Sequence, residues 1–244
     1  MKDNFSGHSD SYSKFRPGYR SELISYLVSL TKRQQCAWDC GTGNGQLAVK
    51  LAAYFDEVYA TDLSENQLRN ATPKNNIQYR TEQAEKTSFD ASQFDLITVA
   101  QAIHWFDFDA FYAEVRRTLR EDGVLAIVGY ALLQVDESTD KVIQKLYSDI
   151  VGPYWDPERK YIEDLYKTIP FPFHEEKTPV FHDEYQWTLE QLMGYLETWS
   201  AVKHYMRDRG ENPITLISET LKQSWEGFDT KTVTFPIMLR VGRL

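Results

Sequence analysis

Cys36-Ala37-Trp38-Asp39-Cys40-Gly41-Thr42-Gly43-Asn44-Gly45-Gln46-Leu47 changes character twice along its length, from apolar to glycine-rich and then to helix-forming. Cys36 to Asp39 reads as a short strand, and Leu47, Leu51 and Phe55 recur at the spacing of one helix face. Glycines between a strand and the helix that follows let the backbone turn sharply. They also admit a ligand close to the chain, beside the positive end of the helix. A second strand is predicted over Glu57 to Asp62, which places Asp62 21 residues after Gly41. Both features then fall at the carboxyl ends of neighbouring strands, where open α/β sheets bind nucleotides.

Working outward, the same alternation continues. Pro17 to Leu30 reads as a helix with Pro17 in its first turn and Leu23, Ile24 and Leu27 on one face. Ser64-Glu65-Asn66-Gln67 has capping-box spacing. Strands are predicted over Ile77 to Thr81 and Phe94 to Ala100, followed by a helix over Phe108 to Leu119. A turn at Glu121-Asp122-Gly123 leads into a fifth strand, Val124 to Tyr130. Regular alternation over residues 36–130 predicts an α/β fold, a Rossmann-like parallel sheet with helices on both faces. After Tyr130 the rhythm changes. Asp136 to Val151 reads as a helix, and residues 152–179 are dense in proline and aromatic residues. Phe181 to Trp187 reads as a strand, Thr188 to Trp199 and Pro213 to Trp225 as helices, and Lys231 to Val241 as a strand. The expected organisation is one domain over 1–244, with a cofactor-binding core at 36–130 and a cap at 1–30 and about 131–210.

Composition narrows the function classes. The 244 residues carry a net charge of −9 and no Lys/Arg run dense enough to track a phosphate backbone, which disfavours nucleic-acid binding. Met1 to His8 has no apolar core, and the longest apolar stretch, around Leu125 to Leu133, is about half of the ~20 residues a membrane span needs. The two cysteines, Cys36 and Cys40, have neither redox nor zinc-site spacing, so a cytoplasmic protein with two buried thiols is expected. Aromatic residues make up 14% of the chain, and several fall in loop-like segments, which suggests an aromatic-lined pocket.

A carboxylate at Asp62 can accept hydrogen bonds from both ribose hydroxyls of an adenosine, so glycine loop and strand-end acid together predict an adenosine cofactor. A dinucleotide fingerprint is G-x-G-x-x-G. Here one residue, Asn44, separates Gly43 from Gly45. With the preceding acid Asp39, this pattern resembles motif I of the class I S-adenosylmethionine methyltransferases. Glu82-Gln83-Ala84-Glu85, Phe94-Asp95-Leu96-Ile97-Thr98-Val99 and Leu119-Arg120-Glu121-Asp122-Gly123-Val124-Leu125 are similar to that family's later motifs, although Glu121-Asp122 stands where proline-glycine is usual. Gln101-Ala102-Ile103-His104-Trp105-Phe106-Asp107 resembles a signature of the trans-aconitate and related type 11 small-molecule methyltransferases. Tyr12 to Tyr19 and Thr198 to Tyr205 are similar to segments of the same group.

The resemblance implies a seven-stranded sheet with an antiparallel last strand, and S-adenosylmethionine as cofactor. It places Tyr12, Arg16, Asp39, Gly41, Gly43, Asp62, Leu63, Ala84, Glu85, Ala100, Gln101 and Trp105 around that cofactor. His104, after the fourth strand, becomes the catalytic candidate, because an imidazole there can take a proton or bind an anion. Its alternative role is packing or helix capping. Asp107 is the expected cap of the next helix, with Asp109 as rival. Trp155, Trp199, Lys203, His204, Tyr205 and Arg207 are candidates for an acceptor pocket, although helical Lys203 and Arg207 read better as solvated charges and Trp199, on the apolar stripe of its helix, as core. No metal site is expected, and the acceptor is expected to be a small molecule, with O-methylation of a carboxylate favoured. A monomer or weak dimer is expected, with neither nucleic acid nor membrane as partner. The alternatives are a nicotinamide-dependent oxidoreductase, a non-catalytic module that binds S-adenosylmethionine, and a nucleic-acid or protein methyltransferase.

Overall fold

The computed structural model describes residues 17–244, and the expected cofactor residues Tyr12 and Arg16 lie outside them. The first described helix, α1 (Ser21–Ser29), buries Leu23, Ile24 and Leu27 as their spacing predicts. It starts four residues later than expected. Residues 17–20 precede it without regular structure, held by the Tyr185 hydroxyl, which donates to the Gly18 carbonyl at 3.0 Å.

All five residues of β1 (Cys36–Cys40) are buried, as a strand covered on both faces requires. After the glycine loop come α2 (Gln46–Leu51), β2 (Glu57–Asp62), α3 (Glu65–Arg69), β3 (Ile77–Thr81), β4 (Phe94–Ala100), α4 (Phe108–Thr118) and β5 (Leu119–Tyr130). The second half contains α5 (Glu137–Gln144), α6 (Arg159–Glu163), β6 (His174–Glu176), β7 (His182–Trp187), α7 (Leu189–Glu197), α8 (Ser200–Arg209), α9 (Ser218–Trp225) and β8 (Lys231–Arg243). The predicted helix over 136–151 changes to a π-helical turn at Lys145–Ile150. The one over 213–225 is split into a 3₁₀ turn, Pro213–Leu216, and α9.

The sheet order is β3-β2-β1-β4-β5-β8-β6, with β7 also paired to β8. β1 pairs in parallel with both β2 and β4, so the strand order reverses direction there and opens a crevice at the strands' carboxyl ends. β8 is antiparallel to β5, as the resemblance implies. The expected seventh position is divided between two strands: β7 lies against residues 231–236 of β8, and β6 against residues 241–243. Pro179, which has no N–H to give a ladder, stands between them. β5 starts at Leu119 rather than Val124. The predicted turn is absorbed as a register shift between the pairs Phe94–Leu119 and Leu96–Val124.

Period-two alternation sends Trp38, Ile97, Leu125 and Ile127 to one face of the sheet, and Ala37, Leu96, Ala126 and Val128 to the other. A third cluster, built from Leu192, Leu196, Trp199, Leu221 and Phe235 among others, belongs to the chain after Tyr130. At the sheet's opposite end, Asp95 is buried and accepts the N–H groups of Gln35 and Cys36 at 3.0 and 2.9 Å while pairing with Arg120 at 2.5 Å. Its carboxylate fixes the start of β1, and so the point at which β1 delivers its glycine loop. No helix among the described residues is long and apolar enough to cross a membrane.

Candidate functional site

Asp39, the last residue but one of β1, is 1% exposed. One carboxylate oxygen accepts the Thr42 hydroxyl at 2.5 Å and the Ala48 N–H at 3.1 Å, and the other accepts the Thr98 hydroxyl at 2.9 Å. The acid thereby ties loop, helix α2 and strand β4 to one point. Burial raises its pKa to about 6, opposed by the hydrogen bonds from Thr42, Thr98 and Ala48. Gly41 has φ +68°, and a Cβ there would lie 2.6 Å from the Ala102 Cβ. A left-handed backbone and that close approach both demand glycine. A Cβ on Gly43, by contrast, would meet no atom within 4 Å, so the loop presents open space on that side.

Asp62 ends β2 beside this opening. Its carboxylate accepts the Gly43 N–H at 2.8 Å and the Ser64 N–H at 2.9 Å. Leu63 follows it, 37% exposed. Across the crevice, Ala84 is buried in the turn after β3, and the Glu85 carboxylate accepts the Asp107 N–H at 3.1 Å. Asp107 in turn caps α4 by accepting the Ala110 N–H at 3.1 Å, so the cap falls to Asp107 and not to Asp109. An acid beside an open glycine loop, with an exposed apolar residue next to it, fits the adenosine end of S-adenosylmethionine.

β4 ends at Ala100, and Gln101 adopts φ +54° immediately after it. The turn carries His104, 7% exposed, and Trp105, whose ring centroids are 4.9 Å apart. His104 Nδ1 lies 3.1 Å from the Tyr166 hydroxyl, which donates to Gln101 Oε1 at 3.3 Å. Burial, reinforced by the positive charge of Arg159, lowers the His104 pKa to about 3, so its imidazole is neutral at physiological pH. Gln101, His104 and Trp105 form one end of a cleft whose other walls include Tyr130, Trp155, Asp156, Arg159, Tyr195 and Trp199.

Gly41, Gly43, Asp39 and Asp62 thus gather at the tips of β1 and β2. Gln101, His104 and Trp105 gather at the tip of β4. Of the residues expected for an acceptor pocket, Trp155 and Trp199 line the cleft, and Lys203, His204, Tyr205 and Arg207 do not. His204 contacts the Tyr154 carbonyl at 3.0 Å, and Tyr205 donates to Glu211. Arg159 and Tyr166 were not foreseen, because no motif surrounds them. Their only signal was the aromatic density of residues 152–179.

Comparison with known proteins bears on this geometry. Residues 38–127 match the family described as a methyltransferase domain. A Dictyostelium discoideum protein named as a methyltransferase is 35% identical, over 97% of this chain and 93% of its own length. An uncharacterised methyltransferase of Mycobacterium tuberculosis is 31% identical, over 77% of this chain and 71% of its own. The solved structure of a protein from Anaeromyxobacter dehalogenans, named as a type II methyltransferase, superposes with a TM-score of 0.87 at 39% identity, covering 94% of this chain and 98% of that one.

Proposed function

This chain belongs to the S-adenosylmethionine-dependent methyltransferases, and from that premise we propose that its methyl acceptor is a small organic acid bound in the cleft beside His104. Bound S-adenosylmethionine supplies a methyl group made electrophilic by its sulfonium. The nicotinamide alternative falls with the family, and the remaining chemistry is alignment of the acceptor in a dry pocket.

Arg159 carries this reading. Its guanidinium lies 4.5 Å over the Trp155 ring and 5.2 Å from that of Tyr147, and its Nε donates to the Tyr147 hydroxyl at 2.8 Å. A stacked, pre-oriented guanidinium at the wall of a cleft of mixed polarity, which Asp156 also lines, is a receptor for a planar anion. Asp62 accepts the ribose hydroxyls, Leu63 and Ala84 flank the adenine, and the loop of Asp39, Gly41 and Gly43 faces the methionine portion. Glu85 joins Ala84 beside the adenine, Trp105 walls the adenine pocket, and Ala100 and Gln101 close the cofactor site at the end of β4. Residues 131–210 select the acceptor, and the His104-Trp105-Phe106 resemblance to the trans-aconitate group supports an acid. The same reading carries a cytoplasmic enzyme acting as a monomer or weak dimer.

Methylation of a carboxylate oxygen needs no base. A second reading, methylation of a hydroxyl on such an acid, is favoured by the neutral imidazole of His104 at the cleft's inner end. The test is a panel of carboxylic and hydroxy acids incubated with methyl-labelled S-adenosylmethionine. Label released by mild alkali marks an ester, and stable label marks an ether. Arg159→Ala is expected to raise the KM for the acid about 10- to 100-fold while binding S-adenosylhomocysteine normally. An acceptor without any acidic group, or an unchanged KM, overturns the reading.

A further inference from the structure

Four non-glycine residues among those described have a left-handed backbone, and the side chains of two of them, Gln101 (φ +54°) and Tyr166 (φ +61°), meet over His104. Such backbone costs on the order of 1–3 kcal/mol per residue and persists where surrounding structure enforces it. The enforcement is visible. Arg240 donates to the carbonyls of Tyr166 and Ile169 at 3.0 and 2.7 Å. The Tyr166 N–H reaches the Tyr161 carbonyl at 2.7 Å, and Gln101 N–H continues the β4–β5 ladder to the Val128 carbonyl at 2.9 Å. Gly129 on β5 leaves the slot that the Tyr166 ring fills, since a Cβ there would lie 2.6 Å from Tyr166 Cε2.

The polar groups of this cluster have one consistent arrangement. Gln101 Nε2 lies 3.1 Å from the Tyr130 carbonyl oxygen, which can only accept, so the amide must present its NH₂ there. Its Oε1 then faces Tyr166 and can only accept. Tyr166 has one hydroxyl proton and gives it to Gln101. The Tyr166 oxygen therefore receives a hydrogen from His104 Nδ1 at 3.1 Å. A neutral imidazole protonated on Nδ1 has a lone pair on Nε2.

We propose that Gln101 and Tyr166 are positioning residues that fix His104 as its Nδ1–H tautomer, leaving Nε2 as a hydrogen-bond acceptor for the group that receives the methyl. The direction of the chain is set by the Tyr130 carbonyl, a backbone group that no side-chain rearrangement can turn into a donor. A hydroxyl acceptor donates its hydrogen to Nε2 and so has an oxygen lone pair turned away from the imidazole. A carboxylate oxygen has no hydrogen to donate and meets a lone pair instead. This last step rests on the cleft being the acceptor site; the tautomer does not.

The test is nitrogen-15 magnetic resonance of the full-length, histidine-labelled protein with S-adenosylhomocysteine bound, at neutral pH. The His104 signals are assigned by their loss in His104→Gln. The expected pattern is a protonated Nδ1 and an unprotonated Nε2. Gln101→Met removes the acceptor that claims the Tyr166 proton, so His104 is expected to shift to the Nε2–H form. Tyr166→Phe removes the relay, and a mixture of tautomers is expected. A protonated Nε2 in the unmodified protein overturns the proposal, as does an unchanged tautomer in whichever variant folds. Because these readouts need no acceptor, they stand apart from the acceptor panel above. With an acceptor in hand, Tyr166→Phe is expected to lower kcat roughly 10- to 100-fold with little change in KM. A rise in KM together with the fall in kcat would mark a structural role only.

Discussion

The Gly43 N–H donates to the Asp62 carboxylate at 2.8 Å, joining the loop at the end of one strand to the acid at the end of its neighbour. The same carboxylate receives the Ser64 N–H and so holds the start of α3. One side chain thus shapes both banks of the crevice proposed to take the cofactor.

Asp62→Ala is therefore expected to weaken S-adenosylhomocysteine binding about 100-fold or more, because it removes a charged acceptor and also frees the loop. Asp62→Asn keeps one acceptor and is expected to lose less. Calorimetry gives both affinities, and circular dichroism checks that the fold survives. Equal affinity in all three proteins would remove Asp62 from the site.

Asp39 makes stability fall with rising pH. Its folded pKa of about 6 lies above the ordinary carboxylate value, so the unfolded chain releases this proton first. The contribution is complete below about pH 4 and is lost as pH rises towards 6, on the order of 2–3 kcal/mol in all. Asp39→Asn can still accept from Thr42 and Ala48 and donate to the Thr98 hydroxyl, so the fold is expected to persist without this slope. Urea unfolding at pH 4 and pH 7 should show the variant gaining on the native chain at the higher pH.

His104 acts in the opposite sense. Its pKa is depressed to about 3, so between roughly pH 6.5 and 3 the unfolded chain takes up a proton that the folded chain refuses. The stabilisation is present above pH 6.5 and falls away in acid, by several kcal/mol. His104→Gln should lose less stability than the native chain between pH 7 and pH 5. A titration of the His104 ring with a midpoint near 6.5 in the folded protein would contradict the burial argument.

Gly129→Ala is expected to destabilise the protein by about 1–3 kcal/mol, because the new methyl meets both the Tyr166 ring and the Met238 Cε at 2.6 Å. Gly152→Ala, whose Cβ would meet only the Tyr147 carbonyl at 3.7 Å, serves as control and should shift stability by no more than about 0.5 kcal/mol. Thermal unfolding of the two variants decides the matter. Similar losses at both positions would mean that the Tyr166 slot is loose.

The gathering of Asp39, Gly41, Gly43 and Asp62 at the strand tips was legible in sequence because it is local. Asp39, Gly41 and Gly43 are fixed by one strand–turn–helix, and Asp62 by the next strand, so spacing alone brought them to one edge. Pro17 misled the start of α1 because a tertiary contact, Tyr185 to Gly18, overrides the residue's helical preference. Lys203 and Arg207, both on α8, do not line the cleft, in keeping with the expectation that lysine and arginine on a helix are solvated.

By itself the sequence determined the fold class and the glycine loop after the first strand, since both follow from hydrophobic period and glycine spacing within a few residues. Only the tertiary structure decided the role of Asp39, whose three donors come from the loop, α2 and β4. It alone brought Arg159 and Tyr166 from the aromatic segment to His104, 55 and 62 residues earlier in the chain. A hydrogen-bond relay of this kind depends on which atoms point at one another across the core. No local propensity encodes that, because the left-handed turns at Gln101 and Tyr166 are stable only once β5 and β8 have packed around them.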